Sequence, residues 1–389
     1  MKKYFGLEKN VFYTGLTSFF TDTSTKMVYS VMPMFLMSIG ATKTKIALIE
    51  GIAESTASLL KALSGLWSDK IGKNKPFMIF GYGLTAIITP VYALAGRPVH
   101  ILWLRFIERI GKGVRTAPRD SLISGSVGKE KTGRNFGFHK AMDNSGAILG
   151  PLGAFAVLYF LPGNYATVFV LSAIPAVIGV LIIIFMIREA HNGSDERRKV
   201  SVRELPAKFW FYLAIIFVFS LGNSTDALLL VKTADTGIEK AYVPFIYMIF
   251  NTVSVIFAIP IGKLSDKKGR TVMIITGYLI YSAVYFLFGR FNNASIFIAL
   301  FVLYGLYSAF ADGSQKSLLS DIVSKDMKGT GFGIYHAIIG ITLLPASVIA
   351  GYLYDNVNSN APFYFGGAMA LTAAVLMIIF TLKYRARSD

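Results

Sequence analysis

The chain of 389 residues contains no cysteine, only 4 histidines, only 3 tryptophans, and just 16% charged residues. Without thiols it has no disulfides, no thiolate metal sites and no cysteine nucleophile. Four scattered histidines (100, 139, 191 and 336) do not build a conventional zinc cluster, so neither a metal nor a cofactor is expected. Soluble domains carry about a quarter charged residues, and this scarcity argues against a soluble enzyme. No Gly-Lys step (72–73, 111–112, 128–129, 262–263) is followed by Ser or Thr in a phosphate-binding loop, which disfavours an ATP-driven pump. No sizeable soluble domain is visible that would make the chain a receptor.

What is present is apolar: 54% hydrophobic residues, 14% of the chain aromatic, and mean hydropathy +0.55. A bilayer core of about 30 Å takes roughly 20 apolar residues per helix. Stretches such as Pro76–Gly96, Tyr165–Ile187, Ala241–Gly262, Thr271–Gly289 and Ala361–Leu382 meet this without a formal charge. Others meet it only with internal charges. The reading between loops is an all-α membrane protein of twelve transmembrane helices, at about 11–38, 44–68, 76–95, 98–123, 132–160, 164–187, 208–231, 240–264, 271–289, 294–322, 329–355 and 361–383. Barrel strands are a poor alternative because these runs are continuous, not alternating.

The net charge of +17 is largely topological. Of 39 basic residues, 23 fall in loops and ends on the side of the termini, 5 fall on the opposite side, and the other 11 lie within helices. The positive-inside rule places both termini in the cytoplasm of a multi-pass inner-membrane protein, and nucleic acid is not an expected partner. Lys2 and Lys3 precede a long segment carrying Asp22 and Lys26 with no small-residue cleavage site, so no cleavable signal is read there. The polar stretch 188–207 separates an N-terminal bundle, 1–187, from a C-terminal bundle, 208–389.

The two halves repeat. Gly65-Leu-Trp-Ser-Asp69-Lys-Ile-Gly72-Lys73 matches Gly262-Lys-Leu-Ser-Asp266-Lys-Lys-Gly269-Arg270, Phe136-Gly-Phe138 matches Phe332-Gly-Ile334, Ser121-Leu-Ile123 matches Ser317-Leu-Leu319, and Phe19…Ser24-Thr25 matches Phe219…Ser224-Thr225. Four matches in order near one offset make two six-helix halves of like topology. Parallel repeats of this kind hold a substrate between them near the midplane and expose it to each side in turn.

With these loops the sequence resembles the major facilitator superfamily: the G-x-x-x-D-[KR]-x-G-[KR] loop between helices 2 and 3, repeated between helices 8 and 9, is similar to that family's motif A. The resemblance implies a secondary transporter, not an enzyme, in which Asp69 and Asp266 gate the cytoplasmic side by capping a helix or pairing with a base such as Arg119 or Lys316. Helix 5 carries Gly146-Ala-Ile-Leu-Gly150-Pro151-Leu-Gly153, similar to motif C of the family's antiporters. Glycines four apart allow close helix packing and Pro151 bends the helix. This favours efflux, while plain packing explains the same residues. Motif B departs from the family pattern: Ile107 stands where a base is expected, between Arg105 and Arg109.

Ionisable groups inside membrane helices are costly unless paired or wet, so each is a candidate for function. At about 1.5 Å per residue, Asp22, Arg109, Asp143 and Glu54 lie about 12 to 17 Å into their helices, near the midplane. Asp22, Asp143 and Glu54 are the candidate proton carriers: burial and a neighbouring base act oppositely on a carboxyl's proton affinity, so small rearrangements switch its protonation. Lys26 follows Asp22 by four and Asp143 follows His139 by four, spacings that suit local pairs. Helix 4 carries Arg105, Glu108, Arg109, Lys112, Arg115, Arg119 and Asp120, a stripe no lipid-facing helix would hold. Lys26, Arg105, Arg109, Lys112, His139, Asn223 and His336 are the candidate substrate contacts, with His139 and His336 also explicable as packing. Glu50 and Glu54 have a second reading as partners of the helix 4 bases. Arg119, Asp120, Asp226 and Asp312 are expected at gates. Tyr29, Tyr247, Asn251 and Tyr304 line a cavity or pack.

The expected function is proton-coupled efflux of a small anionic or zwitterionic solute by a monomer working in the lipid bilayer. Uptake by symport and metal-ion export remain alternatives.

Overall fold

The computed structural model describes residues 3–4, 7–71, 73–125, 132–189, 205–324 and 327–385. A two-residue hairpin pairs β1 (Lys3–Tyr4) with β2 (Leu7–Glu8). The rest is helical: α1 (Lys9–Ser38), α2 (Lys43–Ile71), α3 (Lys75–Val91), α4 (Pro98–Gly125), α5 (Thr132–Phe160), α6 (Tyr165–Met186), α7 (Ala207–Gly222), α8 (Asp226–Asp235), α9 (Val243–Lys268), α10 (Arg270–Arg290), α11 (Ala294–Ile322), α12 (Lys328–Asn356) and α13 (Ala361–Arg385). With α7 and α8 forming one interrupted span, Ala207–Asp235, these make twelve transmembrane helices in two six-helix halves.

Eight of the spans are long and apolar enough to cross a membrane by composition alone. The four that fall short are α1, α2, α4 and α5, the helices with the embedded charges. The polarity of the first half is inside out relative to a soluble protein. Phe160 and Phe185 are exposed, while Arg105 (1% exposed), Glu108, Arg109 and Arg115 are buried. An apolar exterior is what hydrocarbon demands, and charge survives only where protein surrounds it.

Helix ends follow their sequence signals. Asn164 caps α6 by accepting from the Thr167 N–H at 3.1 Å, and Asn293 caps α11 through the N–H groups of Ser295 and Ile296. Between α9 and α10 stands one residue, Gly269, at φ 96°; only glycine takes this left-handed turn without strain, which gives the glycine of the second repeated loop its physical reason. Its counterpart Gly72 lies outside the described residues.

The seventh span differs from the continuous helix expected over 208–231. It breaks at 223–225, where Asn223 ends α7 and Thr225 caps α8 by accepting from the Ala227 N–H at 3.2 Å. The break is held by phenols. Tyr281 Oη donates to Gly222 O at 3.0 Å, Asn223 Nδ2 donates to Tyr307 Oη at 3.2 Å, and Tyr304 Oη donates to Asp226 at 2.8 Å. Helical pattern in the sequence could not reveal this, because the hydroxyl that satisfies Gly222 O comes from α10 and the phenols that hold the flanking side chains come from α11.

The chain forms two compact units: Met1–Ala41, Thr56–Arg197 and Glu239–Met248 in the first, and Thr42–Ser55, Arg198–Ile238 and Ile249–Asp389 in the second. In the first, α1 packs on α5 and α6, and α3 on α4 and α6, while Tyr242 and Phe245 set their rings 5.3 and 5.2 Å from that of Phe155. In the second, α10 packs on α11 and α13, and α7 on α12 and α13. Residues 42–55 join that unit through close approaches to α12: a Cβ on Gly51 would meet Ser347 Cβ at 2.7 Å, and one on Gly351 would meet Thr44 Cα at 2.8 Å.

Candidate functional site

Charged and polar groups of the first unit gather along α1, α4 and α5, and their arrangement begins with glycine. A Cβ on Gly146 would lie 2.5 Å from Phe19 O and 3.0 Å from Asp22 Cβ; one on Gly150 would lie 2.5 Å from Thr23 O and 3.0 Å from Lys26 Cβ. The first two glycines of the motif C segment therefore seat α5 directly on the turn of α1 that carries Asp22 and Lys26. Gly153, with only Met27 at 3.6 Å, is less tightly held, and Pro151 sits inside the continuous helix α5.

Lys26 does not close the local pair with Asp22 that their spacing suggests. Its ammonium donates to Tyr247 Oη at 3.3 Å and lies 5.6 and 5.5 Å from the ring centroids of Tyr29 and Tyr247. Among the described residues it forms no ion pair within 4.0 Å. The correction has a geometric reason. Two phenol rings 5.6 Å apart give the cation a π-lined niche, which a flexible four-carbon stem reaches as easily as the neighbouring turn.

Asp143 and His139 do meet, His139 Nδ1 lying 3.6 Å from Asp143 Oδ2. His139 Nε2 shares a 2.7 Å hydrogen bond with Ser18 Oγ on α1, which ties this buried imidazole to the facing helix. Asp143 Oδ1 is buried with no hydrogen-bond partner among the described residues. Ser18 is a site neighbour that nothing in the sequence singled out.

On α4 the structure separates the basic stripe into different roles. Arg105 donates to Glu108 at 3.0 Å, and Tyr92 Oη donates to the same carboxylate oxygen at 2.8 Å. The carboxylate that serves Arg105 is thus three residues along its own helix, and Tyr92, the third partner, has no sequence signal. Arg105 also stands 5.7 Å from the Tyr29 ring. Arg115 turns to α3, donating to Thr85 Oγ1 at 2.8 Å and stacking 4.1 Å from the Tyr82 centroid. Arg119 pairs with adjacent Asp120 at 2.9 Å. Arg109 is buried and Lys112 half-buried on the same helix. Asp69 lies on α2, its side chain outside the described residues.

The remaining candidates belong to the second unit. Glu54 is half-buried in the 42–55 stretch of α2. Asn223 and Asp226 flank the break of the seventh span within the tyrosine cluster. Asp312 accepts from Ser308 at 2.7 Å, and His336 lies against the ring of its neighbour Tyr335. Asp266 pairs with Arg270 at 2.8 Å, not with Lys316, and Arg270 also reaches Asp321 at 2.6 Å. The base of the repeated loop is four residues from its carboxylate, so the pair closes locally.

The charges do not balance. Along α1, α4 and α5 the chain carries nine bases, Lys9, Lys26, Arg105, Arg109, Lys112, Arg115, Arg119, Arg134 and Lys140, and four acids, Asp22, Glu108, Asp120 and Asp143.

The comparisons agree with this architecture. The sequence pattern of the Major Facilitator Superfamily matches residues 14–231 and again 211–389. An uncharacterized MFS-type transporter of Methanocaldococcus jannaschii is 32% identical over 382 residues, covering 96% of this chain and 95% of that protein. The quinolone resistance protein NorA of Staphylococcus aureus is 26% identical over 171 residues, 44% of each chain. Among solved structures, a POT family transporter in complex with 5-aminolevulinic acid superposes with TM-score 0.83 at 13% identity, covering 98% of both chains. The nucleoside transporter NupG superposes with TM-score 0.77 at 12% identity, covering 95% of this chain and 99% of that one. A multi-pass membrane chain with two matching six-helix halves and this repeated loop belongs to the Major Facilitator Superfamily.

Proposed function

We propose that this transporter exports a small anionic or zwitterionic organic solute across the inner membrane in exchange for protons, as a monomer with both termini in the cytoplasm. The observation that carries the reading is Lys26: an ammonium deep in a membrane helix, held by phenols alone, one turn from Asp22 and on the α1 face seated against α5. A membrane-embedded cation with no carboxylate in contact, only Asp22 acting through space from the next turn, is costly, and an anionic substrate lowers that cost by supplying a charge in contact.

The positive excess on α1, α4 and α5 supports the same sign of substrate, with Arg109, Lys112 and Arg105 as further contacts. Asp22 and Asp143 are the proton carriers in this reading, Asp143 offering a buried oxygen that accepts no hydrogen bond. Proton loading there and substrate binding at Lys26 compete through the shared α1–α5 seam. Efflux is favoured by the close-packed Gly146 and Gly150 and by the partial likeness to NorA, a resistance protein. Residues 1–187 and 208–389 act as the two rocking halves, joined by 188–207, with Asp69, Arg119, Asp120, Asp226, Asp266 and Asp312 at the gates.

The test is flux in inverted vesicles with an acid interior, using radiolabelled organic acids that raise the melting temperature of the purified protein. Accumulation driven by the pH gradient supports antiport. Expulsion of the acid under the same gradient makes the transporter a symporter, and indifference to the gradient removes protons from the reading.

A further inference from the structure

We infer that Lys26, Tyr29 and Tyr247 form a subsite for aromatic monocarboxylates, the carboxylate resting on Lys26 Nζ and the ring lying on Tyr29; this rests on the anionic-substrate reading above and narrows it to a chemical class. An ammonium carries three donors. Among the described residues Lys26 spends one, on Tyr247 Oη at a long 3.3 Å, and its remaining contacts are π faces. Two N–H groups are therefore left to receive a carboxylate without dismantling any ion pair.

The single charge follows from what the neighbours already do. Arg105, the next base along this wall, is held by Glu108 at 3.0 Å. One ammonium with no carboxylate in contact, Asp22 standing a turn away, takes one negative charge directly on its nitrogen.

The aromatic body follows from the walls. A carboxylate on Nζ sits beside two phenol rings whose centroids are 5.6 Å apart with planes inclined at 44°. Tyr247 is closed, at 2% exposure, whereas Tyr29 is half-buried and keeps open surface. A flat ring laid there extends the tilted aromatic pair and comes beside the guanidinium of Arg105, 5.7 Å from the Tyr29 centroid. A saturated ring of equal size gains the burial but not the ring–ring and ring–guanidinium terms. The difference is about 2- to 10-fold in affinity. An aromatic amine, by contrast, brings its charge to Lys26 and Arg105 and is repelled.

The experiment is a thermal-shift titration of the full chain in lipid nanodiscs with benzoate, cyclohexanecarboxylate and benzylammonium, on the native sequence and on Lys26→Met, Lys26→Arg and Tyr29→Leu. Benzoate is expected to half-saturate the shift at about a 2- to 10-fold lower concentration than cyclohexanecarboxylate. Lys26→Met should lose the response to both acids, Lys26→Arg should keep it, and Tyr29→Leu should make the two acids equal while the unliganded melting transition stays cooperative. Equal affinity of the two acids for the native chain overturns the aromatic class and leaves the anionic reading standing. Preference for benzylammonium overturns both. No response to either acid, or an undiminished response in Lys26→Met, overturns the subsite.

Discussion

The carboxylate of Asp355, near the end of α12, accepts both the backbone N–H and the hydroxyl of Thr44, each at 2.7 Å, at the start of α2. For its own helix this acid is misplaced, since negative charge opposes the dipole at a C-terminus. For α2 it is well placed, because it satisfies an orphan donor and complements the positive end. Asp355 is thus an N-cap supplied from another helix. Asp355→Ala should lower stability by about 1 kcal/mol, and Asp355→Asn by less, since the amide oxygen still accepts. Thermal unfolding in a single detergent checks both, and equal losses would show that charge alone matters.

Gly146 and Gly150 leave no space for a methyl group, with backbone atoms of α1 at 2.5 Å from each hypothetical Cβ, while Gly153 meets only Met27 Sδ at 3.6 Å. Backbone cannot yield as a side chain end can. Alanine at 146 or 150 is expected to cost about 1–3 kcal/mol through overpacking, and alanine at 153 close to nothing. The order of melting temperatures decides it.

Arg105, Glu108 and Tyr92 form a buried triad on α4 and the end of the third span. Arg105→Ala strands a buried carboxylate and should cost about 3–5 kcal/mol. Arg119→Ala breaks a pair whose acid is 38% exposed and should cost under about 1 kcal/mol. A comparable loss for the two would refute the distinction between a buried strut and a screened pair.

Around the second repeated loop, Gly269 and Arg270 should behave differently. Arg270 bridges Asp266 and Asp321 in an exposed setting, so Arg270→Ala is expected to change stability by under about 1 kcal/mol, and by less at high salt. Gly269→Ala forces a Cβ into φ 96° and should cost roughly 1–2 kcal/mol at any ionic strength. Melting at two salt concentrations separates the mechanisms.

Asp143→Asn should uncouple transport without unfolding the protein. The amide keeps the shape beside His139 and cannot carry a proton, so exchange of labelled for unlabelled substrate should persist while accumulation driven by a pH gradient disappears. Retained gradient-driven accumulation would remove Asp143 from the coupling site.

Much of this was written in the chain itself. Spans, repeat and the special helices 1, 2, 4 and 5 are legible because a bilayer imposes length and apolarity residue by residue, so departures stand out locally. The glycine pair at 146 and 150 was legible as a close helix contact, but not its partner, the turn bearing Asp22 and Lys26. The break at 223–225 was not legible, because three tyrosines far along the sequence hold it, Tyr281 through Gly222 O and Tyr307 and Tyr304 through the Asn223 and Asp226 side chains. For the i,i+4 spacings, His139 and Asp143 come to 3.6 Å, while Lys26 turns from Asp22 to Tyr247 for its hydrogen bond. In the second case Tyr247, far along the sequence, supplies the competing acceptor.

The sequence by itself determined that the chain crosses a membrane in two repeated halves and that charge is embedded in the first, since hydrophobic length and unpaired cost act on local residues. Only the tertiary structure decided what each embedded charge meets: Glu108 neutralises Arg105, Thr85 and Tyr82 hold Arg115, and Lys26 rests among phenols. Charge type is a property of the residue, whereas its compensation depends on which side chains the packing of separate helices brings within hydrogen-bonding distance.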